Sequence, residues 1–167
     1  RMTVKIPLKG GKFALVDDVD AERVLAERWF CTTRVGALEY AVSATARKST
    51  GRCINVPLHQ FVMGVRLGHF IDHINGDGID NRRQNLRWCK HAENIRNQRK
   101  RDGTSSKFKG VRRKPDEGVW VAEIEQNGHR LYLGRFRDEE RAARQYDRAA
   151  RLAFGQFART NAMLGLL

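Results

Sequence analysis

Asp72 and His73 stand side by side ahead of Asn75, Gly76, Asp77, Gly78, Asp80 and Asn81, and the apolar pattern resumes only after Asn85. A tight turn requires glycine and asparagine. It does not require the Asp-His pair. Cutting a phosphodiester bond needs an activated water, stabilised charge on the phosphoryl oxygens, and help for the departing 3′ oxygen. A neutral imidazole supplies the first. One hard divalent cation held by oxygen ligands supplies the other two. Neighbours on an extended strand point to opposite faces, so Asp72 and His73 share a site only if the strand bends, as a hairpin opening at Asn75-Gly76 allows. Asn94, within "HAENIRN", is placed on a following helix to offer a second oxygen ligand beside Asp72.

The same residues limit the metal. Cys31, Cys53 and Cys89 form no CxxC pair, and no histidine stands at zinc-finger spacing from any of them. The expected cofactor is therefore one Mg²⁺ or Mn²⁺ ion, with no zinc. The loop also lacks the closing glutamate of an EF-hand. Scattered cysteines suit a reducing compartment, which makes a cytoplasmic, intracellular place the expectation. No signal peptide is read at the start, taken as Met2, and no apolar run is long enough to span a membrane.

The elements that must hold these groups follow from the pattern. "VKIPL", "KFALVDD", "LEYAVSAT" and "CINVPL" read as short strands, broken at "KGGK", "RVGA" and "RKSTGR". "DAERVLAERWF" reads as a helix capped by Asp20, and "LHQFVMGV" as a shorter one. A strand over 70–74, a polar loop, a strand over 86–88 and a helix over about 89–97 then make the unit that carries the motif. A charged, then small and polar stretch over 99–107 suits a linker. Beyond it "FKGVRRK", "VWVAEIEQ" and "HRLYLGRF" alternate as a three-stranded meander, with Asn127-Gly128 and Gly103 as turns. Asp138 caps a helix whose Ala142, Ala143, Tyr146, Ala149, Ala150 and Ala153 share one face, so it should lie close against the sheet.

Charge names the partner. The net charge is +13 and the isoelectric point about 10.4. From Arg82 to Lys114 thirteen Lys and Arg face two acids, a balance of +11, whereas six basic residues meet five acids between Arg1 and Phe30. A basic block beside a nearly neutral segment points to a polyanion, and double-stranded DNA is the expected one. Lys109, Arg112, Lys114, Trp120, Arg130, Tyr132 and Arg135 fall in successive strands of the meander. There, arginines can reach base edges and aromatics can pack on sugars.

"DHINGDGIDNRRQNLRWCKHAENIRNQ" resembles the HNH endonuclease motif, particularly that of intron- and phage-borne homing endonucleases, over about residues 58–98. The resemblance implies His73 as general base, Asp72 and Asn94 as holders of one metal ion, and Asn85 as the brace of the loop and of the catalytic histidine. Cys89-Lys90-His91 departs from the Ser/Thr cap often found at that helix start. His59 reads as a residue that braces the fold behind the site. His69, His91 and His129 read as surface residues.

Residues 108–162 resemble the AP2 DNA-binding domain of plant transcription factors through "KGVR", "WVAEI", "LGRF", "AARQYDRAA" and "FGQFARTN". This implies Lys109, Arg112 and Lys114 on the first strand of a DNA-facing sheet and Arg130 and Tyr132 on the third. The tryptophan usual after the proline is absent, and Glu125 stands where the pattern has a basic residue, so the plant-type target does not carry over. The expectation is an α+β chain: an N-terminal β-rich region with a ββα-metal HNH unit over 2–98, a basic linker over 99–107, and a small three-stranded sheet plus helix over 108–162. Its expected function is site-directed, metal-dependent DNA cleavage as a homing endonuclease. The alternative is a sequence-specific DNA-binding regulator with an inactive HNH unit.

Overall fold

The computed structural model describes residues 1–34, 38–47, 53–97 and 103–167. The breaks read at "RVGA" and "RKSTGR" and the first part of the linker fall largely outside the described residues. The architecture is α+β, in two compact units, residues 1–91 and 92–167.

The first unit is built on a five-stranded sheet of order β2-β1-β3-β4-β5. Its strands are β1 (Thr3–Lys9), β2 (Phe13–Asp17), β3 (Trp29–Arg34), β4 (Leu38–Arg47) and β5 (Cys53–Pro57). β1 pairs antiparallel with β2 and parallel with β3. Period-2 alternation in β1 puts Ile6 and Leu8 inside, where Ala14 and Val16 of β2 meet them. Helices α1 (Asp18–Leu25) and α2 (Leu58–Met63) close the core with Val24, Leu58 and Val62.

α1 corrects the sequence expectation in two places. Asp20 is not the cap but a buried residue inside the helix, and the helix stops at Leu25. Trp29 and Phe30 instead open β3, the Trp29 indole N–H donating to the Val24 carbonyl at 2.7 Å as the chain turns back. Pairing of Leu8 with Trp29 and of Phe30 with Val42 outweighs a helical periodicity that favours continuation.

β6 (Phe70–His73) and β7 (Leu86–Cys89) form a separate hairpin in the same unit, with a short 3₁₀ turn over Arg83–Asn85 before β7. α3 (His91–Arg96) follows, starting two residues later than expected.

The second unit pairs a sheet of order β10-β9-β8 with one long helix. Its elements are β8 (Val111–Lys114), β9 (Val119–Gln126), β10 (His129–Phe136) and α4 (Glu139–Phe154). Asn127 and Gly128, both at positive φ, make the two-residue β9–β10 turn. The Asp138 carboxylate accepts from the Arg141 amide at 2.7 Å, the N-cap bond expected there. Ala142, Ala143 and Ala150 are fully buried, which lets α4 lie close on the sheet. Residues 103–107, expected in the linker, are folded onto this unit. Ser106 is buried, donates to Glu139 at 2.7 Å and accepts from the Phe108 amide at 3.0 Å.

A very close approach occurs at Gly110, at φ +74°, where an added Cβ would stand 1.9 Å from the Tyr146 ring. Gly110→Ala combines a left-handed backbone cost with overpacking. It is expected to destabilise the second unit by about 3 kcal/mol, read as a lower denaturant midpoint for that unit's transition.

Candidate active site and nucleic-acid interface

Register fixes the centre of the first unit. In the β6–β7 hairpin Asp72 faces Arg87 and His73 faces Leu86. Both motif residues are buried, at 5% and 6% exposure, although they belong to a polar loop. The Arg87 guanidinium donates to Asp72 Oδ2 through Nε at 2.9 Å and Nη2 at 2.6 Å. His73 Nε2 lies 3.2 Å from Asn81 Oδ1, and the Asn81 amide N–H donates to the Gly78 carbonyl at 3.4 Å, which sets which way that side chain points. Burial, the largest influence, pulls the His73 imidazole below its ordinary pKa. It prevails over the Asn81 contact and the Asp72, Asp77 and Asp80 carboxylates, which favour the charged ring.

Asn85 is tied into the loop by three bonds. Its Nδ2 donates to Asn75 Oδ1 at 3.0 Å and to the Asp80 carbonyl at 2.8 Å, and its Oδ1 accepts from the Asn75 amide at 3.0 Å. Asp80 in turn accepts from Arg82 Nε and Nη2 and from Asn75 Nδ2 at 2.6–2.9 Å. The loop is thus a closed net of side chains, not a flexible turn.

That net is anchored to the sheet. Leu15 of β2 donates to the Ile79 carbonyl and accepts from the Asn81 amide, at 2.8 and 2.7 Å. Arg83 donates to both oxygens of Asp20, at 2.7 and 2.8 Å, while its amide donates to Asp17. Burial works to raise the Asp20 carboxyl, but the Arg83 and Arg23 bonds overcome it and hold it below its ordinary value. Arg83→Ala leaves Asp20 to Arg23 alone, itself 44% exposed. The expected loss is about 2 kcal/mol from the first unit, measured by chemical denaturation. That loss should shrink as pH falls through the depressed Asp20 pKa, where the carboxylate gains its proton and the pair no longer contributes.

Two rings frame His73. His59, on α2, stands edge-on to the His73 ring at 5.1 Å between centroids, and Tyr40, on β4, lies 5.9 Å from His73 and 6.0 Å from His59. Gly78 makes room for Tyr40, since a Cβ there would lie 2.7 Å from its ring and 2.3 Å from the Glu39 carbonyl oxygen. Sequence reasoning missed Tyr40, Asn81 and Arg87. Asn81 and Arg87 stand in the "IDNR" and "NLRW" strings with no role that spacing alone assigns. Tyr40, far upstream of His73, offers no local signal. Asn94 lies half-buried on α3. Among the described residues no cluster of three or more His, Cys, Asp or Glu could hold a metal ion. As a residue type, the Asp72 carboxylate suits a hard cation that retains waters or substrate oxygens and does not suit a closed thiolate or imidazole cage.

In the second unit the side of the sheet away from α4 is basic. Ile124, Ala122 and Trp120 alternate toward the helix, so Val121, Glu123 and Glu125 point the other way, with Arg112, Lys114, Arg130, Tyr132 and Arg135 beside them in register. Val121 is nevertheless 2% exposed, because the stems of Arg112 and Arg135, paired with it on either side, cover it.

Two expected members of this face are elsewhere. Trp120 packs with the helix-side core, beneath the Arg113 guanidinium at 5.2 Å. Lys109 precedes β8, and its ammonium donates to the Arg96 carbonyl at 2.8 Å. Burial, aided by the Arg159 charge, brings the Lys109 pKa down to about 8. Gly110, at positive φ, breaks the alternation that would place Lys109 on the strand.

The HNH endonuclease family model matches residues 65–96, and the AP2 domain model matches residues 106–155. The chain is 35% identical over 92 residues to an uncharacterized HNH endonuclease of Acanthamoeba polyphaga mimivirus, covering 55% of this chain and 46% of that protein. It is 48% identical over 65 residues to the ethylene-responsive transcription factor ERN1 of Lotus japonicus, and 48% over 64 residues to the ethylene-responsive transcription factor RAP2-11 of Arabidopsis thaliana. These two matches cover 38% and 37% of this chain and only 24% and 25% of the relatives. Among the described residues no helix is long and apolar enough to cross a membrane. The two matches follow one another along the sequence: this chain joins an HNH endonuclease domain to an AP2 domain.

Proposed function

We propose that the chain is a divalent-cation-dependent endonuclease of double-stranded DNA, directed to a site by its AP2 domain in the manner of a homing endonuclease. The observation that carries this reading is His73: a buried imidazole held neutral, beside Asp72, with Nε2 facing a carbonyl oxygen of Asn81. That oxygen can only accept, so Nε2 keeps its hydrogen and the basic lone pair falls on Nδ1. A water attacks phosphorus while Nδ1 takes its proton. The bond from phosphorus to the 3′ oxygen breaks, and that oxygen leaves with a proton from solvent, giving a 5′ phosphate and a 3′ hydroxyl. Asn85 keeps the loop, and with it the His73–Asn81 pair, in one geometry. His59 and Tyr40 hold the imidazole plane from the side. Asp72 would hold the cation, and the motif assigns Asn94 as its second ligand. When bound, the ion supplies charge for the phosphoryl oxygens and the leaving oxygen.

One observation favours the alternative, a DNA-binding regulator: Asp72 is already neutralised by Arg87. Plasmid cleavage with and without EDTA separates the two. An endonuclease cuts until the chelator is added, whereas a regulator binds and never cuts.

Direction by the AP2 domain has its own test. Arg112→Ala with Arg135→Ala removes two charges from the strand face. Affinity for DNA is expected to fall and its log–log salt slope to flatten by about 2, near 0.9 for each phosphate no longer neutralised. Filter binding across a range of about 50–300 mM salt reads the slope, and an unchanged value puts the DNA-binding charge elsewhere.

A further inference from the structure

We propose that Glu125 is a specificity-determining residue: its carboxylate accepts from the exocyclic amine of a cytosine in the major groove and so fixes one position of the target. This rests on the reading of the β8–β10 strand face as the DNA-facing surface. Three acids stand on or beside that face, and two are absorbed within it. Glu123 accepts from Arg112 Nε and Nη2, at 3.1 and 2.9 Å, and lies 3.8 Å from Arg130 Nη1. Glu117 accepts from Lys114 and, at 2.5 Å, from Arg135. These two carboxylates orient the arginines and lysine that meet phosphate or base edges.

Glu125 differs. It is exposed, on the central strand β9, and opposite Arg130 in register, while the Arg130 guanidinium is directed to Glu123. Among the described residues no hydrogen bond or ion pair joins Glu125 to a partner. A carboxylate can only accept hydrogen bonds. Against a phosphate backbone it is repelled, so it opposes any pose that presents phosphate to the middle of the sheet. The major groove offers two donors, the amines of cytosine and adenine. Adenine sets its N7 acceptor beside the amine, and guanine and thymine present acceptors only, so each places a lone pair before the carboxylate. Cytosine alone offers a donor with no acceptor on the same base, the nearest being O6 of its paired guanine. Glu125 therefore selects for one base and against the other three.

The test uses the full chain with EDTA present, so that DNA is bound and not cut. Duplexes enriched from a random pool by the native protein are varied one base pair at a time, and affinities are measured by fluorescence anisotropy. The native protein should prefer cytosine at one position by about 5- to 100-fold. Glu125→Ala should flatten that position alone while raising affinity for random DNA, since a negative charge is gone. Glu125→Gln, with a donor and an acceptor side by side, should move the preference toward adenine. An unchanged preference in both variants overturns the proposal, and so does an equal change at every sequence, which would make Glu125 a charge and not a reader. Arg112→Ala with Arg135→Ala separates the underlying reading. If that variant binds the enriched duplex with undiminished affinity, the strand face is not the DNA surface and the proposal falls with it.

Discussion

Replacing His73 with alanine is expected to slow DNA cleavage by about two to four orders of magnitude, the range for losing a general base. DNA affinity should stay near the native value, because the phosphate-binding charge lies on other residues. His73 is buried, and its alanine variant leaves Asn81, Tyr40 and His59 around a small void, so the fold is checked by circular dichroism. The pH profile tests the same assignment independently. Burial lowers the His73 pKa from 6.5. The base is active when neutral, so the single-turnover rate should rise with pH through a value below 6.5 and be level by neutrality. Asn81→Asp replaces the carbonyl partner with a carboxylate, which favours the charged ring. Its acid limb should move to higher pH. Near-native cutting by His73→Ala would remove this imidazole from the mechanism, and an acid limb that ignores Asn81→Asp would remove the tautomer argument.

The site is legible in the sequence where its geometry is local. Asp72, His73 and Asn85 lie on one hairpin, and a hairpin's register is set by its own turn, so spacing carries the information. The bonds of Asn85 to Asn75 and Asp80 reach only five to ten residues. What the string does not carry is the support. Asp17 and Asp20 meet Arg83 from more than sixty residues away, and Tyr40 reaches His73 from another sheet. No periodicity in "DVDAERV" distinguishes a capping aspartate from one that will bind an arginine of a distant loop, and Asp20 is the second kind.

Trp120 and Lys109 of the second unit escape a sequence reading for a different cause. A strand buried on both sides gives no clean alternation, and in "VWVAEI" both Val121 and Ala122 are buried. Parity alone cannot place Trp120, because Val121 is covered by arginine stems and not by the helix. For Lys109, one glycine makes the strand begin later than the basic run suggests. The alanine face of α4 and its Asp138 cap are legible because helix periodicity and capping are properties of consecutive residues.

Asp72→Asn should raise the Mg²⁺ concentration needed for half-maximal cleavage by about ten- to a hundredfold, the scale on which metal sites lose affinity when a ligand environment is weakened. Arg87 and a bound cation would pull on Asp72 in opposite directions. Arg87 holds Oδ2 and offsets the cost of burying the carboxylate, while a cation drawn to the same group meets a charge already half-neutralised. Arg87→Met therefore makes the complementary case. It removes the ion pair that offsets the burial of Asp72, so the cation-free protein should lose about 3 kcal/mol of stability. It should also bind Mn²⁺ more tightly than the native chain, with the ion restoring most of that stability by mass action. Asn94→Asp adds a second carboxylate and should tighten Mn²⁺ binding while slowing turnover. Paramagnetic titration of Mn²⁺ reads affinity without reference to cleavage, and melting with and without the ion reads the coupling. Excess Mn²⁺ should recover part of the activity of Asp72→Asn and none of that of His73→Ala, since only the first is a deficit of ion binding. Full cleavage by the native protein in EDTA, or Mn²⁺ affinity unmoved by both Asp72→Asn and Arg87→Met, would exclude Asp72 as the residue that holds the cation.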